Sequence, residues 1–297
     1  MPTARSARDL GPLLRATLWM LFSLAALGAM AVGVRELSDT LGPFEILFVR
    51  SVIGVAVVAL VVTRTAGPAA LRSRQWGWQV FRHSVHFAAQ VGWIVAIAEL
   101  ALAEVFAIEF TSPVWGALLA VLLLGERPTG ARLFALACGL VGMLLVVRPG
   151  FVPVGLPTVA IVLAAIGFGF ANVATKRLVA TDHPLAIVFW MCATQALLAL
   201  PPTLVVWVAP TFADLPWLLF VGLCGLGAHY ALSRALQLAD ALFVLPIDFL
   251  RLPLIALVGF FVYGERLDPW TLGGGALIVA GVWGQLWWER SRPPRAA

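Results

Sequence analysis

Residues 105–127, VFAIEFTSPVWGALLAVLLLGER, are apolar enough to cross a bilayer, yet they carry Glu109 near the start and close on Gly125-Glu126-Arg127. Residues 244–266, VLPIDFLRLPLIALVGFFVYGER, do the same with Asp248 and Gly264-Glu265-Arg266. One ungapped shift of 139 residues lays VFAIEF on VLPIDF, the first Gly-Glu-Arg on the second, and Gly142 on Gly281. A shift of 141 lays Gly28 and Val32 on Gly169 and Val173. This ordered set points to a duplicated chain.

The surroundings of the two stretches set the class. The chain has 297 residues, 61% of them hydrophobic and 12% charged, with mean hydropathy +0.96. A soluble domain is about 25% charged, and apolar runs of about 20 residues are what a ~30 Å hydrocarbon core requires. Barrel strands would show alternating segments of ~10 residues instead. The sequence therefore predicts an all-α polytopic membrane protein. Ten spans are expected, at about 14–34, 44–63, 77–98, 102–124, 131–147, 157–176, 185–208, 216–236, 241–263 and 269–288. The basic N-terminus leads into a retained first span, not a cleaved signal.

The link RPGFVPVGLP (148–157) divides the spans into five-helix repeats at 14–148 and 157–288, with short tails at 1–13 and 289–297. Five is odd, so the second repeat enters the membrane inverted. Inverted repeats are a transporter architecture, with substrate near the midplane. Fifteen Lys and Arg residues, Arg82 among them, fall on one set of segments and three (Arg35, Arg148, Arg266) on the other. The positive-inside bias thus expects both termini in the cytoplasm and the chain in the cell (inner) membrane. The net charge of +5 is explained by those anchors, so no nucleic-acid partner is expected. Cys138, Cys192 and Cys224 lie singly in apolar runs and read as core residues. No metal or other cofactor is expected.

Two five-helix halves, each with a Gly-Glu-Arg after its fourth span and a glycine-rich fifth span, resemble the EamA branch of the drug/metabolite transporter superfamily. LLLGERPTGARLFALACGLVGMLLVVRPG (122–150) is similar to that family's first-repeat ending, and residues 86–126 to its third and fourth spans. The resemblance covers residues 14–288. It implies a ten-helix secondary transporter whose spans 1–4 and 6–9 line a central cavity, for amino acids, other metabolites or drugs.

Buried ionisable residues in a span mark function by default. At ~1.5 Å per residue, Glu109 on span 4 and Arg50 on span 2 lie at one depth, about 10 Å below the outer surface, so a Glu109–Arg50 pair is expected there. Asp248 and Arg251, at i and i+3 on span 9, and His86 on span 3 are expected as a second cluster in the inner half. Each cluster then gates one side of the cavity, or else serves as a static ion pair. Gln79, His83, His86 and Gln90 share one face of span 3, with Trp93 beside them. His83 falls near the cytoplasmic boundary. Gln90 aligns with His229 in the 139-residue shift, and Ser112, Asn172 and Gln195 are further candidates. Pro113, Pro246 and Pro253 are expected to bend their helices. Glycines of spans 5 and 10 allow close packing, within a monomer or at a homodimer contact.

No Walker motif or large soluble segment is present, so ATP-driven transport is not expected. An intramembrane enzyme, read on His83 and His86 as metal ligands, lacks H-E-x-x-H, and short loops leave a receptor or scaffold little partner surface. The expected function is secondary transport of a small amino-acid or organic-acid metabolite by alternating access, with proton coupling and plain exchange both open. The alternative substrate is a larger amphipathic solute such as S-adenosylmethionine or a drug.

Overall fold

Two of the spans break beside a proline, Pro113 and Pro246. The computed structural model describes residues 11–100, 102–148, 155–263 and 268–291. The second Gly-Glu-Arg motif, most of the 148–157 link and much of both tails lie outside the described residues. The first half holds α1 (Gly11–Leu37), α2 (Pro43–Arg64), α3 (Trp76–Glu99), the pair α4 (Leu102–Glu109) and α5 (Ser112–Leu124), and α6 (Gly130–Val147). The second holds α7 (Leu156–Leu178), α8 (Pro184–Val206), α9 (Asp214–Leu238), the short α10 (Ala241–Val244) followed by a 3-10 turn (Leu245–Leu250) and α11 (Arg251–Tyr263), and α12 (Pro269–Ser291). Every element among the described residues is helical, as hydrocarbon demands of a chain that must satisfy its own backbone.

Span 4 is thus α4 plus α5, and span 9 is α10, the 3-10 turn and α11. Pro113 and Pro246 sit in the first turns of α5 and of the 3-10 turn, where a missing N–H costs least. The breaks fall at equivalent points of the two repeats, and Glu109 and Asp248 stand at them. Among the described residues, eight spans are long and apolar enough to cross a membrane. Helices α3 and α12 have 24 and 23 residues; α3 carries polar residues such as Gln79, Arg82 and Gln90, and α12 is rich in glycine and tryptophan.

Packing follows the duplication. Helix α1 lies along α9, and α3 along α7, which is span 1 on span 8 and span 3 on span 6. Exchanging the halves turns one pair into the other. Helices α2 and α8 (spans 2 and 7) pair with each other, as do α6 and α12 (spans 5 and 10). At the α6–α12 crossing, a Cβ added to Gly142 would lie 2.6 Å from the Gly274 carbonyl oxygen, and one added to Gly281 would lie 2.5 Å from the Cys138 Cβ. These glycines serve close approach within the chain. Large apolar side chains such as Leu122, Leu197, Val205 and Phe261 point outward. Alanines such as Ala164, Ala165 and Ala171 of α7 and Ala228, Ala231 and Ala235 of α9 form the interior.

Both ends of the bundle are tied. At the end where α1 begins, Glu126 accepts from the backbone N–H of Ala241 and Leu242, each at 2.8 Å. The first Gly-Glu-Arg motif therefore places a carboxylate on the N-terminus of α10, where the helix dipole favours it. Arg132 pairs there with Asp240 and Glu289, and Lys176 donates to the carbonyls of Leu236 and Ala239 at the end of α9. At the opposite end, Thr40 donates to Asp214 at 2.8 Å, Arg148 pairs with Asp268, and Glu45 accepts from the Val208 N–H.

Candidate functional site: a charged membrane interior

Helix α3 carries the polar groups that organise the interior. Its outermost cluster is a directed chain. Asp182, in the turn between α7 and α8, can only accept hydrogen bonds when ionised, so Gln79 Nε2 donates to it (2.9 Å). Gln79 Oε1 must then accept, from His83 Nε2 at 2.8 Å. His83 Nδ1 is left to accept from Arg82 Nη1 at 2.8 Å, and Arg82 Nε donates to Thr175 Oγ1 at 2.9 Å. Ser73 and the Arg74 N–H also donate to Asp182. Burial pushes the Asp182 carboxyl up, but the donors from Ser73, Arg74, Gln79 and Thr181 outweigh it and hold the group below the usual carboxylate range.

Two expectations change here. His83 is not a wet boundary residue; it is buried in this relay. Arg82 is not a loop anchor, being 2% exposed six residues into α3. The signal for Arg82 was its position inside span 3. Asp182 carried no span-level signal, because it lies in a turn.

The second cluster is made across the two halves. Arg251 Nη2 reaches Glu109 Oε1 at 3.3 Å and Asp248 Oδ2 at 3.2 Å, and its guanidinium lies over the Phe110 ring at 4.6 Å. Trp93 Nε1 donates to the other oxygen of Glu109 at 2.6 Å. Glu109 therefore pairs with Arg251, not with Arg50, and the Asp248–Arg251 pair forms as the spacing predicts. The carboxylates of the two clusters expected on opposite sides of the midplane share one arginine, for a geometric reason, while Arg50 and His86 fall outside this group. Two groups each about 10–12 Å deep in a ~30 Å core are under ~10 Å apart along the normal. Arg251, one turn deeper than Asp248, bridges that gap. By the 139-residue shift Arg251 corresponds to Ser112, so the duplication supplies two carboxylates but one arginine. Ser112 is buried in the α5–α7 contact, beside Gly169, and takes no part in the ion pairs.

The third cluster lies between these two along α3. Gln195 Nε2 of α8 donates to Gln90 Oε1 at 3.1 Å. The rings of His86 and His229 meet edge to face at 5.4 Å, and Phe168 closes the other side of His86 at 5.5 Å. A cavity of about 10 Å³, room for about one water, is lined by Arg50, Ser51, Met191, Cys192, Gln195, Gly222, Gly225, Leu226 and His229. Asn172 is half-buried on α7 and joins none of these clusters among the described residues. Trp190 of α8 donates to the Leu71 carbonyl and meets the Trp76 ring edge to face at 4.6 Å.

His86 and Trp93 are two turns apart on one helix, about 10 Å. Among the described residues the interior thus holds Arg50 without a carboxylate partner, two histidines in ring contact, an amide pair, and two carboxylates that share Arg251.

Known proteins place the chain. The EamA-like transporter family matches residues 14–148 and 156–287. An S-adenosylmethionine uptake transporter of Rickettsia bellii is 25% identical over 88% of this chain and 89% of its own. A pseudopaline exporter of Pseudomonas aeruginosa is 31% identical over 87% and 90%, and a riboflavin transporter of Rhizobium johnstonii is 32% identical over 72% and 71%. A solved crystal structure superposes with a TM-score of 0.81 at 19% identity, covering 91% of this chain and 95% of that one. The chain belongs to the EamA-like transporter family, as a multi-pass membrane protein built of two repeats.

Proposed function

We propose that this protein is a secondary transporter that moves a small amino-acid or organic-acid metabolite across the cell (inner) membrane by alternating access, with both termini in the cytoplasm. The observation that carries this reading is the pairing of charge with space. Arg50 lines an interior cavity without a carboxylate partner among the described residues, while Glu109 and Asp248 share one arginine. Such groups are costly in hydrocarbon unless a ligand or water uses them. With both ends tied, the cavity holds no more than about one water, so a metabolite enters only when one end opens. The Glu109–Arg251–Asp248 group joins the halves and would rearrange during that opening. Normal transport by both Glu109→Gln and Asp248→Asn would sink the gating role.

A second reading has a specific support. Relatives that cover most of the chain are S-adenosylmethionine uptake transporters, and that molecule combines an amino-acid head with a fixed positive charge. Flux of labelled amino acids, organic acids, S-adenosylmethionine and riboflavin into proteoliposomes separates the two readings. Flux no greater than in protein-free liposomes for every solute would remove both.

A further inference from the structure

We infer that Arg50, His86 and His229 form a binding subsite for a carboxylate of the transported molecule; this rests on the transporter reading and adds to it the group that is recognised and the residues that recognise it. Arg50 enters from α2, His86 from α3 and His229 from α9, so both repeats contribute. The Arg50 guanidinium has one hydrogen-bond partner among the described residues, the Met30 thioether at 3.3 Å, which is a weak acceptor. His86 is 8% exposed, and both its ring nitrogens are buried without a partner among the described residues. A buried donor or acceptor left unmade is expensive; Arg50 and His229 line one cavity, and the His86 ring packs on His229 at 5.4 Å. Gly225 lines the same cavity, and a Cβ there would lie 3.3 Å from Met30 Sδ and 3.6 Å from Arg50 Nη1.

The sign of the ligand group follows from the neighbours. Among the described residues, the charged and titratable groups near His86 that act on it are His229, Arg82, Arg50 and His83, and none of these is acidic. The interior carboxylates are already committed: Asp182 ends the relay from Arg82, and Glu109 and Asp248 hold Arg251. Arg50 is therefore a cation waiting for an anion. Its planar fork matches a carboxylate in two parallel bonds, and the imidazole of His86 or His229 can donate a third.

Cys192 lines the same cavity and reports on it. Iodoacetate and iodoacetamide carry the same electrophilic carbon, with and without a carboxylate. In either, the Cys192 sulfur bonds to the methylene carbon as the carbon–iodine bond breaks; iodide leaves with the bonding pair and the thiol proton passes to water. With the full-length protein in liposomes, peptide mass mapping should show iodoacetate labelling Cys192 about five-fold faster than iodoacetamide, an electrostatic preference of ~1 kcal/mol. Excess acetate should slow the iodoacetate reaction, and Cys224, outside the cavity lining, should show no preference. Arg50→Gln should abolish the preference and Arg50→Lys retain part of it. The acetate competition, made on the unaltered protein, holds even if Arg50→Gln does not fold. Equal rates at Cys192, no protection by acetate, or a preference that survives in folded Arg50→Gln would overturn the carboxylate subsite and leave the transporter reading standing. Failure of both reagents to reach Cys192 would overturn the two together.

Discussion

Glu109 and Asp248, 139 residues apart in the chain, bond the same nitrogen of Arg251, at 3.3 and 3.2 Å. Removing the arginine leaves two facing carboxylates with too little positive charge between them. Arg251→Gln should destabilise the protein by about 3–5 kcal/mol, the usual cost of breaking a buried pair from one side. Glu109→Gln should cost less, because Asp248 still pairs with Arg251. Unfolding in mixed micelles under increasing denaturing detergent measures both.

Trp93 gives Glu109 a second anchor through a 2.6 Å indole hydrogen bond. Trp93→Phe should lose about 1.5–3 kcal/mol, the range for hydrogen bonds to charged groups. In a double-mutant cycle with Glu109→Gln the two losses should be less than additive. Full additivity would show that the bond contributes nothing in the folded protein.

Asp182 predicts a pH dependence of known sign. Its folded-state carboxyl lies below the ordinary range, so its contribution is complete above the unfolded value of about 4 and is lost as pH falls through the folded one. Melting temperature should fall with acidification in the unaltered protein. The gap to Asp182→Asn should be widest near neutral pH and close below about pH 4. A gap that stays constant through that window would contradict the assignment.

Gly142 and Gly273 make a matched pair for packing. A methyl at 142 meets the Gly274 carbonyl, whereas at 273 nothing lies within 4 Å. Gly142→Ala should cost about 1–3 kcal/mol through overpacking. Gly273→Ala should be neutral or stabilising by up to about 1 kcal/mol, from helix propensity. Thermal unfolding of the two variants in one detergent decides it.

Legibility differed by dimension. The duplication, the spans and the breaks at Pro113 and Pro246 follow from order and composition alone, because hydropathy and proline chemistry act locally. Helical rise also converts residue number to an expected depth. Depth is only one coordinate, however, and it paired Glu109 with Arg50 although α2 packs on α8 and α9. Arg82 and Lys176 look like membrane anchors by residue type, but both bond inside the protein.

The sequence by itself determined a membrane protein of two inverted five-helix halves, with acidic groups at equivalent positions and one arginine beside the second. Only the tertiary structure decided which charges meet. A helix's rotation, and the neighbour it faces, are set by packing of small residues such as Gly142 on Gly274 and Gly116 on Gly169. That packing joins positions far apart in the chain. It brings Arg251 of one half to Glu109 of the other and leaves Arg50 without a carboxylate partner among the described residues.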